Sequence, residues 1–298
     1  QEGWREFEVR WQSPNVLGNV VRDFEQPLWD GSDLAGARIL IHAEQGFGDS
    51  LNFIRYVPLV QRKGGRVIIE CQPALKTLFS ASFESAQVIA RGDELPEFDL
   101  HCPMMSLPHL FGTTLETIPA EVPYLKVPED LLEHWSEKLS AGEFNIGLIW
   151  SGGAREGQEQ LLSVNRRRSL KLDDFSPLAS VEGLHFYSLQ KGEPAAEAKH
   201  PPVGLHLIDL DNEIDDFADT AAIMMHLDLI ISVDTATAHL AGALGKPVWV
   251  LLRKGCWRWL QDRSDSPWYP TMKIFRQKSV GNWATVIENL CSELSSFS

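Results

Sequence analysis

The sequence predicts an α/β protein built from two consecutive doubly wound, Rossmann-like domains. Two observations carry this prediction. Apolar runs of strand length alternate with helix-length stretches along most of the chain, the pattern of parallel sheets covered on both faces. The pattern also restarts after a proline-rich break, and each start reads as a strand running into a glycine turn. With 298 residues the chain has room for two cores of ordinary size. The expected organisation is a helical prelude over 1–30, a first domain over 31–140, a second over 141–280 and a closing helix over 281–298, with a cleft where the two domains face each other.

In the prelude, Trp4, Phe7 and Trp11 recur at spacings of three and four, one face of a short helix that packs on a neighbour. Pro27 and Asp30-Gly31 end it. The stretch "ARILIHAEQGFGDSLNFIRYVPLVQRKGGRVIIEC" (37–71) reads strand, glycine turn, helix, Gly-Gly turn, strand, which is a βαβ unit. Further strands are expected around 86–89 and 98–100. Four prolines and a Gly-Thr-Thr make 107–130 irregular loop and linker. The second start is "FNIGLIWSGG" (144–153), followed by strands in "LHFYSLQKGE" and "VGLHLIDL", a helix around 216–226, a strand over 227–233, a helix over 236–244 and the strand "PVWVLL". At the end, Trp283, Val286, Ile287, Leu290 and Leu294 form one helical stripe.

Composition narrows the function. A net charge of -14 argues against nucleic-acid binding as the main activity, because neutralising phosphates requires a basic face. No apolar run approaches the roughly 20 residues of a membrane-spanning helix. The cysteines at 71, 102, 256 and 291 form no C-x-x-C and no disulfide framework, which predicts a reducing cytoplasm. The chain opens on Gln1 without a methionine or a targeting segment, so it is expected to be a domain of something longer.

The chemistry concentrates at strand ends. In "LDLIISVDTATAHLAGALGKPVWVLL" (227–252) a buried strand ends in an acid, a hydroxyl and small residues at the mouth of a helix. Ligands of open parallel sheets bind beyond such ends, where helix N-termini offer unpaired amides. Asp234 or Thr235 can cap the helix, and Ala236 and Ala238 leave room for a phosphate beside Thr237. Helical spacing places His239 on the rim of the cleft. In "EQGFGDS" (44–50), Gly46 and Gly48 allow a tight turn and Asp49 falls where a helix begins; on its own residues Asp49 is a capping carboxylate worth about 1 kcal/mol. Glu44 and His42 stand close by. The run "SVNRRRSL" supplies positive charge, since arginines fork onto phosphates, and "SLQKGE" puts Gln190 and Lys191 at another strand end, suited to a nucleobase edge or a phosphate. The Asp-x-Asp in "DLDNEIDDFAD" reads as capping by Asp215 or Asp216 rather than a metal site, and Trp257 and Trp259 as aromatics that order a loop.

"VDTATAHLAGALGKPVWVLL" resembles the donor-site signature of the lipopolysaccharide heptosyltransferases. Together with "EQGFGDSLNFIRYVPL", "LPEFDLHCPMMSLPHLFGTT", "SLQKGE", "DDFADTAA" and "DSPWYPTM", it is similar to the glycosyltransferase-like region found C-terminal to tetratricopeptide repeats in bacterial proteins. The resemblance runs from about Gly3 to Asn289. It implies a GT-B fold, an acceptor site in the first domain (Glu44, Gly46, Gly48), a sugar-nucleotide site in the second (Arg166, Arg168, Gln190, Lys191, Asp234, Thr235, Ala236, Thr237, His239), and Asp49 as general base with Glu44 and His42 in reserve. It further implies an inverting, metal-independent transfer from a nucleotide sugar to a glycan or protein hydroxyl without a cofactor, and helical repeats upstream. The chain departs from the family in "SGGAREGQEQLLSVN" and "RKGCWRW", which leaves open a sugar-nucleotide epimerase or hydrolase and a non-catalytic recognition module.

Overall fold

The computed structural model describes residues 2–12, 22–139, 144–153, 165–255 and 258–296. Most of "SGGAREGQEQLLSVN", as well as Cys256 and Trp257, lies outside these residues. The chain divides into two compact units, Gln1–Val127 and Pro128–Ser298.

The first unit is a four-stranded parallel sheet in the order β3-β2-β1-β4. Its strands are β1 Arg38–His42, β2 Arg66–Cys71, β3 Gln87–Ala90 and β4 Leu100–Pro103. The alternation of strand and helix gives the parallel direction, since each helix returns the chain to the starting edge. Ile39, Leu40 and Ile41 pair with Val67, Ile68 and Ile69 on one side and with Leu100, His101 and Cys102 on the other. All three isoleucine and leucine side chains of β1 are fully buried, as a central strand covered on both faces requires. The opening segment forms a helix over Glu2–Phe7 and a 3-10 turn over Glu8–Gln12. Trp4 meets Phe53 edge-on at 6.0 Å, the neighbour its aromatic stripe was expected to find.

The second unit is a six-stranded parallel sheet in the order β10-β9-β8-β5-β6-β7. It comprises β5 Phe144–Ile149, β6 Leu184–Ser188, β7 Leu207–Asp209, β8 Leu229–Val233, β9 Val248–Leu252 and β10 Met272–Arg276. The last of these was not expected from the sequence. The helix Glu129–Lys138 belongs to this unit, where buried Trp135 donates its indole N–H to Asp219 Oδ1 at 3.1 Å. Trp150, Phe175, Phe186 and Trp249 form a core that the closing helix Ala284–Leu294 seals with Val286, Ile287, Leu290 and Leu294 of the predicted stripe, while its first member, Trp283, precedes the helix and is only partly buried against that core. Asp216 caps the helix Phe217–Met225, accepting the amides of Ala218 and Asp219.

Strand order locates the places where ligands can enter. In each sheet the winding direction reverses once, between β1 and β4 in the first unit and between β5 and β8 in the second. The loops there diverge to opposite faces and open a crevice at the carboxyl ends of the strands.

Candidate functional site

At the first reversal point, β1 leads into Ala43–Gly46 and the helix Phe47–Phe53. Gly46 is its N-cap with φ -78° and ψ 168°, extended backbone that any residue adopts, and neither Gly46 nor Gly48 takes the left-handed conformation. The expected tight glycine turn is therefore an ordinary helix entry. Asp49 is half-buried in the first turn and accepts the Gly46 N–H at 3.0 Å, so its carboxylate holds the turn. Ser50 and Gln72 extend the brace: the Ser50 hydroxyl donates to Gln72 Oε1, and Gln72 Nε2 to the Gln45 carbonyl, both at 2.9 Å.

Glu44 has a different fate from the one expected of a reserve base. It is buried, and Arg10 from the opening segment forks onto it with Nε and Nη2 each at 3.0 Å, while the Met105 N–H donates to Oε1 at 3.0 Å. Arg10 also donates to the Ser106 hydroxyl and pairs with Glu8. Burial raises the Glu44 pKa against the pull of the Arg10 guanidinium and the Met105 amide. The carboxylate is an anchor that ties the prelude to the ends of β1 and β4. Sequence reasoning missed Arg10, because a buried arginine in a short amphipathic segment leaves no periodic signal.

His42 is buried as well, 3.4 Å from His101 through facing ring nitrogens, with Phe24 edge-on to both. Burial, followed by the charges of His101, Arg22, Arg91 and Arg10, pushes its pKa down to about 3. It is a neutral core imidazole rather than a surface base. Glu70 on the neighbouring strand is likewise buried and paired with Arg22 at 2.7 Å.

At the second reversal point, β8 ends at Val233 and the helix Ala236–Ala243 begins. Thr235 is the N-cap by backbone, but its side chain makes no capping bond; its hydroxyl lies 3.0 Å from that of Ser232. The first amides of this helix, on half-buried Ala236 and Thr237, thus face the end of the sheet without a threonine cap. Asp234 accepts the Trp259 indole N–H at 2.9 Å. His239 does not point to a rim. It is buried, its ring stacks on Trp259 at 5.0 Å and its Nδ1 lies 2.9 Å from the Tyr269 hydroxyl. Apart from Thr237 and His239 the helix is made of alanines, a glycine and a leucine, so it is covered on more than one side, and a rim placement by helical phase alone failed. Gly242 permits that cover, because a Cβ there would stand 2.5 Å from two ring carbons of Tyr269. Trp259 is fully buried, the loop-ordering role expected of it.

The remaining predicted residues part company. Gln190 is buried and brackets two strand ends: Oε1 accepts the Trp150 and Ser151 N–H groups at 3.2 and 2.8 Å, and Nε2 donates to the Ser151 and Lys191 carbonyls at 3.0 Å each. Lys191 reaches the Ile214 carbonyl and the Asp211 carboxylate. Arg168 donates to Asn165 Oδ1 at 3.0 Å and lies against Gly152, where a Cβ would meet its guanidinium at 2.7 Å. Because β5 and β8 are hydrogen-bonded neighbours, the Trp150–Gly152 segment and the Asp234–Thr237 segment leave the same edge of the sheet. Arg166 instead lines a cavity with Arg253 and Lys254. Among the described residues no group of three or more His, Cys, Asp or Glu could hold a metal ion, and no helix is long and apolar enough to cross a membrane.

No family model matches the sequence. Over an alignment 330 positions long the chain is 28% identical to Protein FlbA of Caulobacter vibrioides, a match that covers 99% of this chain and 52% of that protein. The chain thus spans about half the length of the curated relative it matches. Among solved structures it is similar to a glycosyl transferase family 9 protein from Veillonella parvula, with a TM-score of 0.65 at 11% identity, covering 91% of this chain and all of the other. It is similar to the ADP-heptose lipopolysaccharide heptosyltransferase II of Escherichia coli, with a TM-score of 0.58 at 14% identity over 87% of this chain and 99% of the other. An Escherichia coli heptosyltransferase holding ADP-2-deoxy-2-fluoro heptose gives a TM-score of 0.53 at 11% identity, over 86% of this chain and 99% of the other. The likeness is one of fold: an α/β architecture of parallel sheets whose structural neighbours are glycosyltransferases of family 9.

Proposed function

We propose that the chain is a glycosyltransferase whose second unit holds a nucleotide-sugar donor. The observation that carries this reading is the coincidence, in a fold shared with heptosyltransferases, of the β5/β8 reversal point with the start of the helix Ala236–Ala243, where the Thr235 side chain makes no cap. The donor diphosphate lies against the amides of Ala236 and Thr237, where the helix dipole adds to the hydrogen bonds. Arg168 on the loop after β5 adds a cation that meets the charge growing on the leaving diphosphate, so no metal is needed for that task. Asp234 and His239 act as the braced floor of this site through Trp259, and Gln190 fixes the loop after β5 against β6. An acceptor hydroxyl of a glycan or protein attacks the anomeric carbon as its bond to the diphosphate oxygen breaks, and Asp49 takes the hydroxyl proton. Attack from the face opposite the leaving group inverts the anomeric centre. The family resemblance further supports an association of this region with helical repeats.

Thermal melts against UDP, GDP, ADP, CMP and dTDP sugars test the donor site. A donor at 100 times its Kd adds about 2.7 kcal/mol of stability. One nucleotide is expected to shift the midpoint, and Thr237→Glu, which sets a carboxylate on the amides, to abolish that shift without lowering the unliganded midpoint. No shift with any nucleotide would refute the reading and leave a recognition module. Asp49→Ala is expected to abolish transfer while keeping the donor shift; comparable turnover in that variant removes Asp49 from the mechanism.

A further inference from the structure

The second unit contains a cavity of about 850 Å³ that the donor reading does not use. Two backbone ties build it. Gln277 N–H donates to the Leu252 carbonyl at 2.8 Å, so the segments leaving β9 and β10 stay side by side, and Leu170 N–H donates to the Trp150 carbonyl at 2.8 Å, which holds the 165–171 segment to the end of β5. The result is that Arg166, Arg167, Lys171, Arg253 and Lys254, far apart in sequence, line one cavity. Among the described residues a single carboxylate lines it with them, that of Asp174, which accepts the Lys171 backbone N–H at 2.8 Å.

A chain with 41 acidic and 27 basic residues does not gather five cations around one concavity by composition. Like charges in a concave wall raise one another's energy and attract a counter-charge. A second observation is independent of charge. Gln277 lines the same cavity and is only 2% exposed. Its Oε1 accepts the Gly281 N–H at 3.1 Å, but its Nε2 has no hydrogen-bond partner among the described residues. A buried amide donor left unmatched carries a desolvation penalty that an incoming acceptor removes. Cations in excess and an unmatched donor both call for a multiply charged oxyanion.

We propose that this cavity is a second anion site of the unit, taking a phosphate-bearing ligand. The five cations meet the phosphoryl charge, the arginines by paired N–H donors, and Gln277 Nε2 donates to a phosphate oxygen. Half-buried Trp283 also lines the cavity and gives whatever carries the phosphate an apolar surface. The site takes Arg166, which the family resemblance set among the donor residues, but shares none with the Asp234–His239 segment or with Arg168, so it goes beyond the glycosyltransferase reading and does not depend on it.

The test is calorimetric titration of pyrophosphate at fixed ionic strength into the Thr237→Glu chain, in which the helix-start amides are blocked. Saturable binding is expected, weakened by about 10-fold or more in Arg253→Ala/Lys254→Ala and by several-fold in Gln277→Met. The paired alanine variant alters exposed or half-exposed side chains, so its fold is expected to survive, and Arg253→Lys should restore part of the affinity. Binding that is absent in the Thr237→Glu chain, or equal in Arg253→Ala/Lys254→Ala, or matched by chloride at the same ionic strength, overturns the proposal. So does loss of a nucleotide-sugar shift in Arg253→Ala/Lys254→Ala, which would make the cavity part of the donor site. Pyrophosphate binding in a chain that binds no nucleotide sugar would sink the donor reading and leave this one standing.

Discussion

Replacing Arg10 with methionine strands Glu44. The two side chains are 2% and 1% exposed and share two hydrogen bonds of 3.0 Å. Without the guanidinium, Glu44 retains the Met105 N–H and loses its counter-charge in a site closed to water. Breaking a buried pair from one side costs about 3–5 kcal/mol, whereas removing both charges together costs far less. At roughly 3 °C per kcal/mol, Arg10→Met should melt about 10 °C or more below the parent. Arg10→Met/Glu44→Gln keeps an acceptor for Met105 and should recover most of that loss. The deficit also depends on pH. An unpaired buried carboxyl has a folded pKa above its unfolded value of about 4.3, so the folded state binds a proton more readily, and the deficit shrinks as pH falls towards that value. Differential scanning calorimetry of the parent, both single variants and the double variant at two pH values measures all of this. A melt of Arg10→Met within about 3 °C of the parent, or a double variant worse than either single one, would refute the anchor role.

Three further outcomes follow from the geometry. His42, pushed down to about 3 by burial, stays neutral in the fold while the unfolded imidazole protonates near 6.5; stability is therefore lost as pH falls from 6.5 towards 3, by up to about 1.4 kcal/mol per pH unit, and urea midpoints of His42→Asn should lack that slope. Gly242→Ala drives a methyl to within 2.5 Å of the Tyr269 ring and should destabilise by about 1–3 kcal/mol in thermal melts; an unchanged midpoint would show that Tyr269 moves freely. Gln190→Glu replaces an N–H donor with an oxygen facing the Ser151 and Lys191 carbonyls, which should cost about 2 kcal/mol or more, and equal stability in denaturant titration would mean the bracket is dispensable.

What the sequence revealed and what it hid divide along a physical line. Central strands such as 229–233 and 248–252 are continuous apolar runs bounded by turn residues, and these were legible. The edge strand Met272–Arg276 sets Lys273 and Arg276 three residues apart around Ile274 and Phe275, so it shows neither a continuous apolar run nor a strict alternation. Strand ends pointed to Asp49 and to the Asp234–Thr237 segment because backbone geometry alone makes such ends accessible. Side-chain roles were harder. His239 was placed by helical phase, yet its direction was decided by Trp259 and Tyr269, which lie 20 and 30 residues downstream. The charge of Arg10 gave no warning that Glu44 would bury it, and Gln190 looked like a ligand group because nothing local shows that an amide's four bonds are already spent. Partners distant in sequence are invisible to any local pattern.

The order of strands in the second unit has a consequence for folding. β5, β6 and β7 come from one uninterrupted stretch of sequence, and β8, β9 and β10 from another. Each half closes through connections shorter than the separation the β5/β8 pairing must bridge, and that pairing is entropically the most demanding contact of the sheet. That joint is the natural line along which the sheet would part in a partial opening, the amides from Ile146 to Ile149 and from Leu229 to Ser232 exchanging together with solvent hydrogen. A molecule seated across the loops after β5 and β8 would work as a staple on this line, so its arrival should be recorded as slowed exchange in the strands beneath it, well away from any atom it touches.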